Sequence, residues 1–134
     1  MVKPKRYFAV RFTPDHEWIN YDENTKTGVV GITDYAQSQL GDIVHITLPK
    51  VLEKFKQKDV MATIESVKVV GDIYAPVSGT VTDVNEEVHK TPEIINQEAE
   101  GKGWLFKMNI DNLDEINKLL DKKEYEKVVQ ESGH

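Results

Sequence analysis

The sequence predicts a mostly β protein with a short helix near residue 36 and helices at its C-terminal end. Three observations predict it. From residue 7 to residue 110 the apolar residues fall in short runs, several of them alternating, set apart by Pro, Gly, Asn and Asp. Within that span only residues 34–40 are read as helix. Beyond Asn112 the spacing changes, and Leu113, Ile116, Leu119 and Leu120 recur at a helical interval.

Taken in order, Tyr7–Phe12 reads as a strand broken by Thr13-Pro14-Asp15. Trp18–Tyr21 and Gly28–Thr33 read as strands joined by the polar turn at 22–26. Asp34–Leu40 fits one or two helical turns, with Thr33 as N-cap and Gly41 closing the end. Asp42–Leu48 alternates, which would put Val44, Ile46 and Leu48 on one face, and Pro49 stops it. Val60–Glu65 alternates again, with Val60, Ala62 and Ile64 expected inward. A turn at Pro76-Val77-Ser78-Gly79 leads into the strand Thr80–Val84. The last strand carries Trp104, Phe106, Met108 and Ile110 on one face. Asn112 with Glu115, and Asp121 with Glu124, fit the capping pairs of two terminal helices.

A chain of 134 residues suits one domain, with a body over about residues 7–110 and helices over about 112–130. The net charge of −6 argues against nonspecific nucleic-acid binding, which needs a basic face. No apolar run is long enough to span a bilayer, and MVKPKRYFAV lacks the apolar stretch of a secretory signal. Lys3, Lys5 and Arg6 read as a solvated basic start. A cytoplasmic protein, or a mature one of the mitochondrial matrix, is expected, acting as a monomer away from membranes. The absence of cysteine excludes disulfides, thiolate metal sites and a cysteine nucleophile, so any sulfur chemistry must come from a cofactor.

His16, His45, His89 and His134 show no short metal-ligand spacing. His16, between two acids, reads as part of a turn rather than a metal ligand. The serines lack a nucleophile-elbow context, and the glycines form no phosphate-binding loop. Nothing in the pattern predicts an enzyme active site. The unusual stretch is IESVKVVGD, residues 64–72. A strand ends near Glu65 and another begins near Val70, which makes Ser66-Val67-Lys68-Val69 a hairpin tip. Such tips normally use Gly, Asn, Asp or Pro. Valines around a single lysine form an apolar collar that a plain turn has no reason to keep. A buried strand with Lys68 reaching out along its stem is the alternative. The collar instead suits an enzyme that must hold and acylate the amine.

The stretches TPDHEW, VGITDYAQSQLGDIV, ESVKVVGDIYAPVSGTV, PEIIN and GKGWLFKM occur in this order, and together they resemble the H protein of the glycine cleavage system over residues 7–129. The resemblance implies a lipoyl/biotinyl-type β-sandwich (a barrel-sandwich hybrid) of two quasi-symmetric halves, with lipoate in amide linkage to Lys68. It implies a carrier rather than an enzyme. The arm would take an aminomethyl group from a pyridoxal-phosphate glycine decarboxylase to a tetrahydrofolate-dependent aminomethyltransferase. It would then pass reducing equivalents to dihydrolipoyl dehydrogenase, and a lipoate ligase or lipoyl transferase would install it. Glu65, three residues before the lysine, would serve ligase recognition or merely end its strand. Glu17 in HEW, with Asp72 as a weaker choice, would receive the ammonium of the loaded arm in a cleft walled by Ile32, Leu40 and Val69. Glu17 could equally only order its loop.

The chain departs from the usual family pattern at several places. Val69 and Val70 are bulkier than the small residues common after the lysine, and Gly71 stands where Ser is usual. Leu52 replaces a frequent glycine, and QEAEG at 97–101 replaces an Asn/Asp-Pro-Tyr-Gly-like stretch. Two other carriers compete with the glycine role. Biotin carriers also display a hairpin lysine, but with methionine on both sides. H-like paralogues keep the lipoate and act as lipoate relays or sulfur-oxidation carriers.

Overall fold

The computed structural model describes residues 9–132. Tyr7 and Phe8 of the predicted first strand, the basic Lys3, Lys5 and Arg6, and His134 lie outside them. In chain order the elements are β1 (Ala9–Phe12), β2 (Glu17–Asp22), β3 (Thr27–Ile32), α1 (Asp34–Leu40), β4 (Ile43–Thr47), β5 (Lys54–Phe55), β6 (Val60–Ser66), β7 (Val70–Tyr74), β8 (Gly79–Val84), α2 (Glu86–Lys90), α3 (Glu93–Glu98), β9 (Phe106–Ile110), a 3-10 helix (Leu113–Lys118) and α4 (Lys122–Ser132).

The strands form two antiparallel sheets, one ordered β1-β2-β3-β9-β8-β5 and the other β4-β6-β7. Inward residues of both sheets share one buried cluster that includes Ile19, Val30, Ile46, Ile64, Ile73, Val81, Phe106 and Met108. The predicted mostly β sandwich is the observed fold. A second, smaller cluster joins Phe12 and Trp18 to Tyr125 of α4, and so fastens the C-terminal helix over β1 and β2. Gly31 makes room for Trp18, because a Cβ there would lie 2.6 Å from the indole ring. The indole N–H then donates to Ile32 O at 2.8 Å and Ala99 O at 3.1 Å.

Several expectations are corrected. Val44 is 53% exposed rather than inward. The β4–β6 register jumps between Ile43 and His45, so Val44 is an extra residue, and Ile43 and Ile46 take the buried positions. A second shift between Val60 and Ala62 turns Val60 outward while Met61, Ala62 and Ile64 are buried. Residues 86–90 and 93–98 are helices that the strand-based reading overlooked, because both are too short to show a periodicity. Trp104 precedes β9 rather than belonging to it. Of the C-terminal pair, the first member is a 3-10 helix. There Asn112 caps Asp114 N, but Glu115 reaches away to accept from Ser78 N and Oγ at 2.7 and 3.0 Å. At α4 the expected reciprocal pair is complete: Asp121 N donates to Glu124 and Glu124 N to Asp121, at 3.0 and 2.8 Å.

A cleft beside the lysine hairpin

Helix α1 and the β6–β7 hairpin meet at one end of the sandwich. The caps of α1 are as read from its sequence: Thr33 Oγ1 accepts from Ala36 N, and Gly41 adopts φ +81°, the left-handed region that glycine enters freely. Asn96 of α3 fixes the far end. Its amide nitrogen donates to Gly41 O at 2.9 Å and its oxygen accepts from Ile43 N at 2.9 Å. One side chain therefore sets the step from helix to strand. It lies in PEIIN, but nothing in that stretch signals a partner more than 50 residues away.

The hairpin tip turns without Gly or Asn because Ser66 supplies the turn. Its hydroxyl oxygen accepts from Lys68 N and Val69 N at 3.1 Å each, and Ser66 N donates to Val69 O at 2.9 Å. Val67 N donates to Asp42 O at 2.9 Å, which ties the tip to the end of α1. Val67, Val69 and Val70 are 66%, 49% and 62% exposed, so the apolar collar faces solvent. Their outward position also explains why bulky residues are tolerated there. Lys68 is exposed, and its stem lies over Gly41, where an added Cβ would come within 3.0 Å of Lys68 Cε.

Beneath this tip opens a cleft of about 300 Å³. Ile32, Ala36, Leu40 and Ile64 supply apolar walls, Asp15, His16, Tyr35 and Asp72 contribute polar groups, and Glu17 also borders it. Of the residues singled out in the sequence, Glu17, Asp72, Ile32 and Leu40 thus meet in one space. Val69 stands on the tip and Glu65 on the exposed face of the small sheet, opposite His45 and Val70, neither of them lining the cleft. Gly71 also borders the space, and a Cβ there would make ordinary contacts of 3.6–3.7 Å with Ile64 and Leu40, so packing does not require glycine.

Glu17 is only 2% exposed. Loss of hydration pushes its carboxyl up to about 7, although the Thr13 hydroxyl (2.5 Å) and Tyr74 N–H (3.1 Å) both donate to it and pull the other way. At neutral pH it therefore sits near half ionisation, and a cation entering the cleft would draw it to the carboxylate form. His16, read from sequence as a plain turn residue, has φ +73° and presents its ring to the cleft, 4.8 Å from the Tyr35 ring. Burial lowers its pKa against the raising effect of Asp15. Its Nδ1 lies 2.8 Å from the Tyr125 hydroxyl, a partner 109 residues away that no local signal could reveal. The QEAEG stretch bears on the same end of the molecule, since Glu100 accepts from Asp34 N at 2.8 Å, at the start of α1.

A family model described as Glycine cleavage H-protein matches residues 10–132. The chain belongs to the glycine cleavage H-protein family. The glycine cleavage system H protein of Acidobacterium capsulatum is 50% identical over 135 residues, covering 100% of both chains. That of Carboxydothermus hydrogenoformans is 46% identical over 92% of this chain and 94% of its own. A probable H protein from Thermoplasma acidophilum is 52% identical over 91% of this chain and 94% of its own. In three dimensions the chain superposes on the crystal structure of a glycine cleavage system H protein from Mycobacterium marinum with a TM-score of 0.81. That match is 30% identical and covers 96% of this chain and 99% of the other. Leu52, one of the departures noted in the sequence, adopts φ +75°, a conformation glycine would take without strain.

Proposed function

We propose that this chain is a single-domain lipoyl carrier of a glycine cleavage system, with lipoate in amide linkage to Lys68. The observation that carries the reading is the pairing of an exposed hairpin lysine with an adjacent, largely apolar cleft that holds one buried carboxyl. The residues present fit the group. Lys68 is accessible for acylation, and the cleft has the size of a small-ligand pocket. When attached, lipoate supplies a dithiolane that accepts and releases a carbon unit and reducing equivalents. Ile32, Leu40 and Ile64 exclude water around the end of the arm, and Glu17, with Asp72 at the rim, receives an ammonium. Glu65, near the hairpin but outside the cleft, serves the ligase or transferase that installs the arm. The partners are the pyridoxal-phosphate decarboxylase, the tetrahydrofolate-dependent aminomethyltransferase and dihydrolipoyl dehydrogenase. No reaction is completed on this chain alone. The setting is the cytoplasm or the mitochondrial matrix.

The test is to lipoylate the protein, map the adduct by peptide mass, and mix it with a decarboxylase from the same source and labelled glycine. Modification confined to Lys68, label on the carrier and carbon dioxide exchange are expected. A fully lipoylated protein that stays inert with that decarboxylase would replace the glycine role with that of a lipoate relay or a sulfur-oxidation carrier.

A further inference from the structure

We propose that Tyr125 of the C-terminal helix fixes His16 as a neutral imidazole protonated at Nε2, so that the cleft beside Lys68 carries no cation of its own. The inference about the imidazole stands on hydrogen-bond accounting. Its consequence for an ammonium-ended arm rests on the carrier reading above.

Three groups form a chain. Thr33 Oγ1 lies 2.6 Å from the Tyr125 hydroxyl, and that hydroxyl lies 2.8 Å from His16 Nδ1. Thr33 is 1% exposed, and its oxygen already accepts from Ala36 N as the cap of α1. Among the described residues, the acceptor within reach of its own proton is the Tyr125 oxygen. Thr33 therefore donates to Tyr125, and the single proton of Tyr125 goes to His16. Nδ1 must accept, which leaves the proton of a neutral ring on Nε2. Protonating Nδ1 would put a donor on both sides of the Tyr125 oxygen. Either the Tyr125 proton or, if Tyr125 turned it to Thr33, the buried Thr33 proton would then lack an acceptor among these three groups.

Neither end of the chain is free to drift. The Tyr125 ring stacks on Phe12 at 4.6 Å and 10°. His16 N donates to Thr13 O at 3.1 Å and His16 O accepts from Thr33 N at 3.0 Å, while Tyr35 covers the ring. The acidic groups around His16 do not keep it neutral. Asp15 adjoins it, Glu17 and Asp72 share the cleft from β2 and β7, Tyr35 and Tyr125 face it from α1 and α4, and Glu100 acts on Tyr125. The carboxylates among them favour a protonated ring. Burial and the Tyr125 hydroxyl oppose them, and a cationic His16 would repel an arriving ammonium.

Long-range proton–nitrogen NMR on the unlipoylated wild type reads the tautomer directly. An unprotonated, pyridine-like Nδ1 and a protonated Nε2 are expected, and a protonated Nδ1 near neutral pH overturns the proposal with no variant needed. Tyr125→Phe keeps the ring on Phe12 and removes the hydroxyl, so the titration midpoint of His16 should move upward; an unchanged midpoint also overturns it. In lipoylated, glycine-loaded protein, Tyr125→Phe should lose label several-fold faster than wild type at pH 6 and equally at pH 8. Combining it with His16→Gln should abolish that acid sensitivity, and its persistence would remove His16 from the explanation. Failure of the carrier reading looks different: no label would load, while the NMR pattern stayed as stated.

Discussion

Replacing Glu17 by glutamine should leave stability nearly unchanged at pH 5 and raise it at pH 8. The carboxyl is buried and its pKa stands at about 7, against 4.5 in a free chain. Between those values the folded protein holds a proton that the unfolded chain has released. Stability therefore falls as pH rises, by about 1.4 kcal/mol per pH unit from this one group. The loss begins near pH 4.5, is complete just above pH 7, and amounts to about 3 kcal/mol. Glutamine imitates the neutral acid and carries no such slope. Its amide oxygen can keep one of the two bonds now donated by the Thr13 hydroxyl and Tyr74 N. Thr13 Oγ1 already accepts from two backbone N–H groups and cannot take the amide NH2 as well, so a fixed cost of about 1 kcal/mol is expected. Urea unfolding of both proteins at pH 5, 6, 7 and 8 isolates the effect, because every other group cancels in the difference. The variant should gain about 2.5 kcal/mol on wild type between pH 5 and pH 8, on the order of 8 °C in Tm. A flat difference would show that burial does not hold Glu17 in its acid form, and a difference of opposite sign would refute the reasoning outright. If the gain is observed, wild-type stability has been given up for a carboxyl that ionises when a cation arrives.

Glu65 is exposed near the hairpin and outside the cleft, so Glu65→Ala should slow enzymatic lipoylation several-fold and leave the melting temperature within about 1 °C; an unchanged rate in a ligase assay returns it to a plain strand end. Leu52 is 76% exposed at φ +75°. Leu52→Gly relieves a left-handed strain of about 1 kcal/mol and loses part of that to chain entropy, so denaturant titration should show a gain of about 0.5 kcal/mol, and a loss would mean that Leu52 packs usefully. Gly31→Ala should cost about 3 kcal/mol, since its Cβ would lie 2.6 Å from Trp18; a change below 1 kcal/mol in the same titration would show that the indole has room to move.

What the sequence by itself determined is local. The α1 caps at Thr33 and Gly41, the reciprocal pair Asp121–Glu124 and the hairpin around Lys68 depend on neighbours a few residues apart, and all three stand where they were read. The alternation rule worked for Ile46, Ala62, Ile64, Phe106, Met108 and Ile110 for the same reason. It failed at Val44 and Val60, because a bulge belongs to a pair of strands and leaves no mark on either one. The sequence could place a carboxyl at Glu17 but not its proton affinity, which depends on water excluded by residues from β3, β7 and α1 together. Tertiary structure alone decided that His16 meets Tyr125 across 109 positions, and that Asn96 clamps the end of α1. Hydrogen bonds between distant segments are chosen by how sheets and helices pack, and burial is a sum over many chain neighbours. Neither quantity is a property of any short stretch of residues.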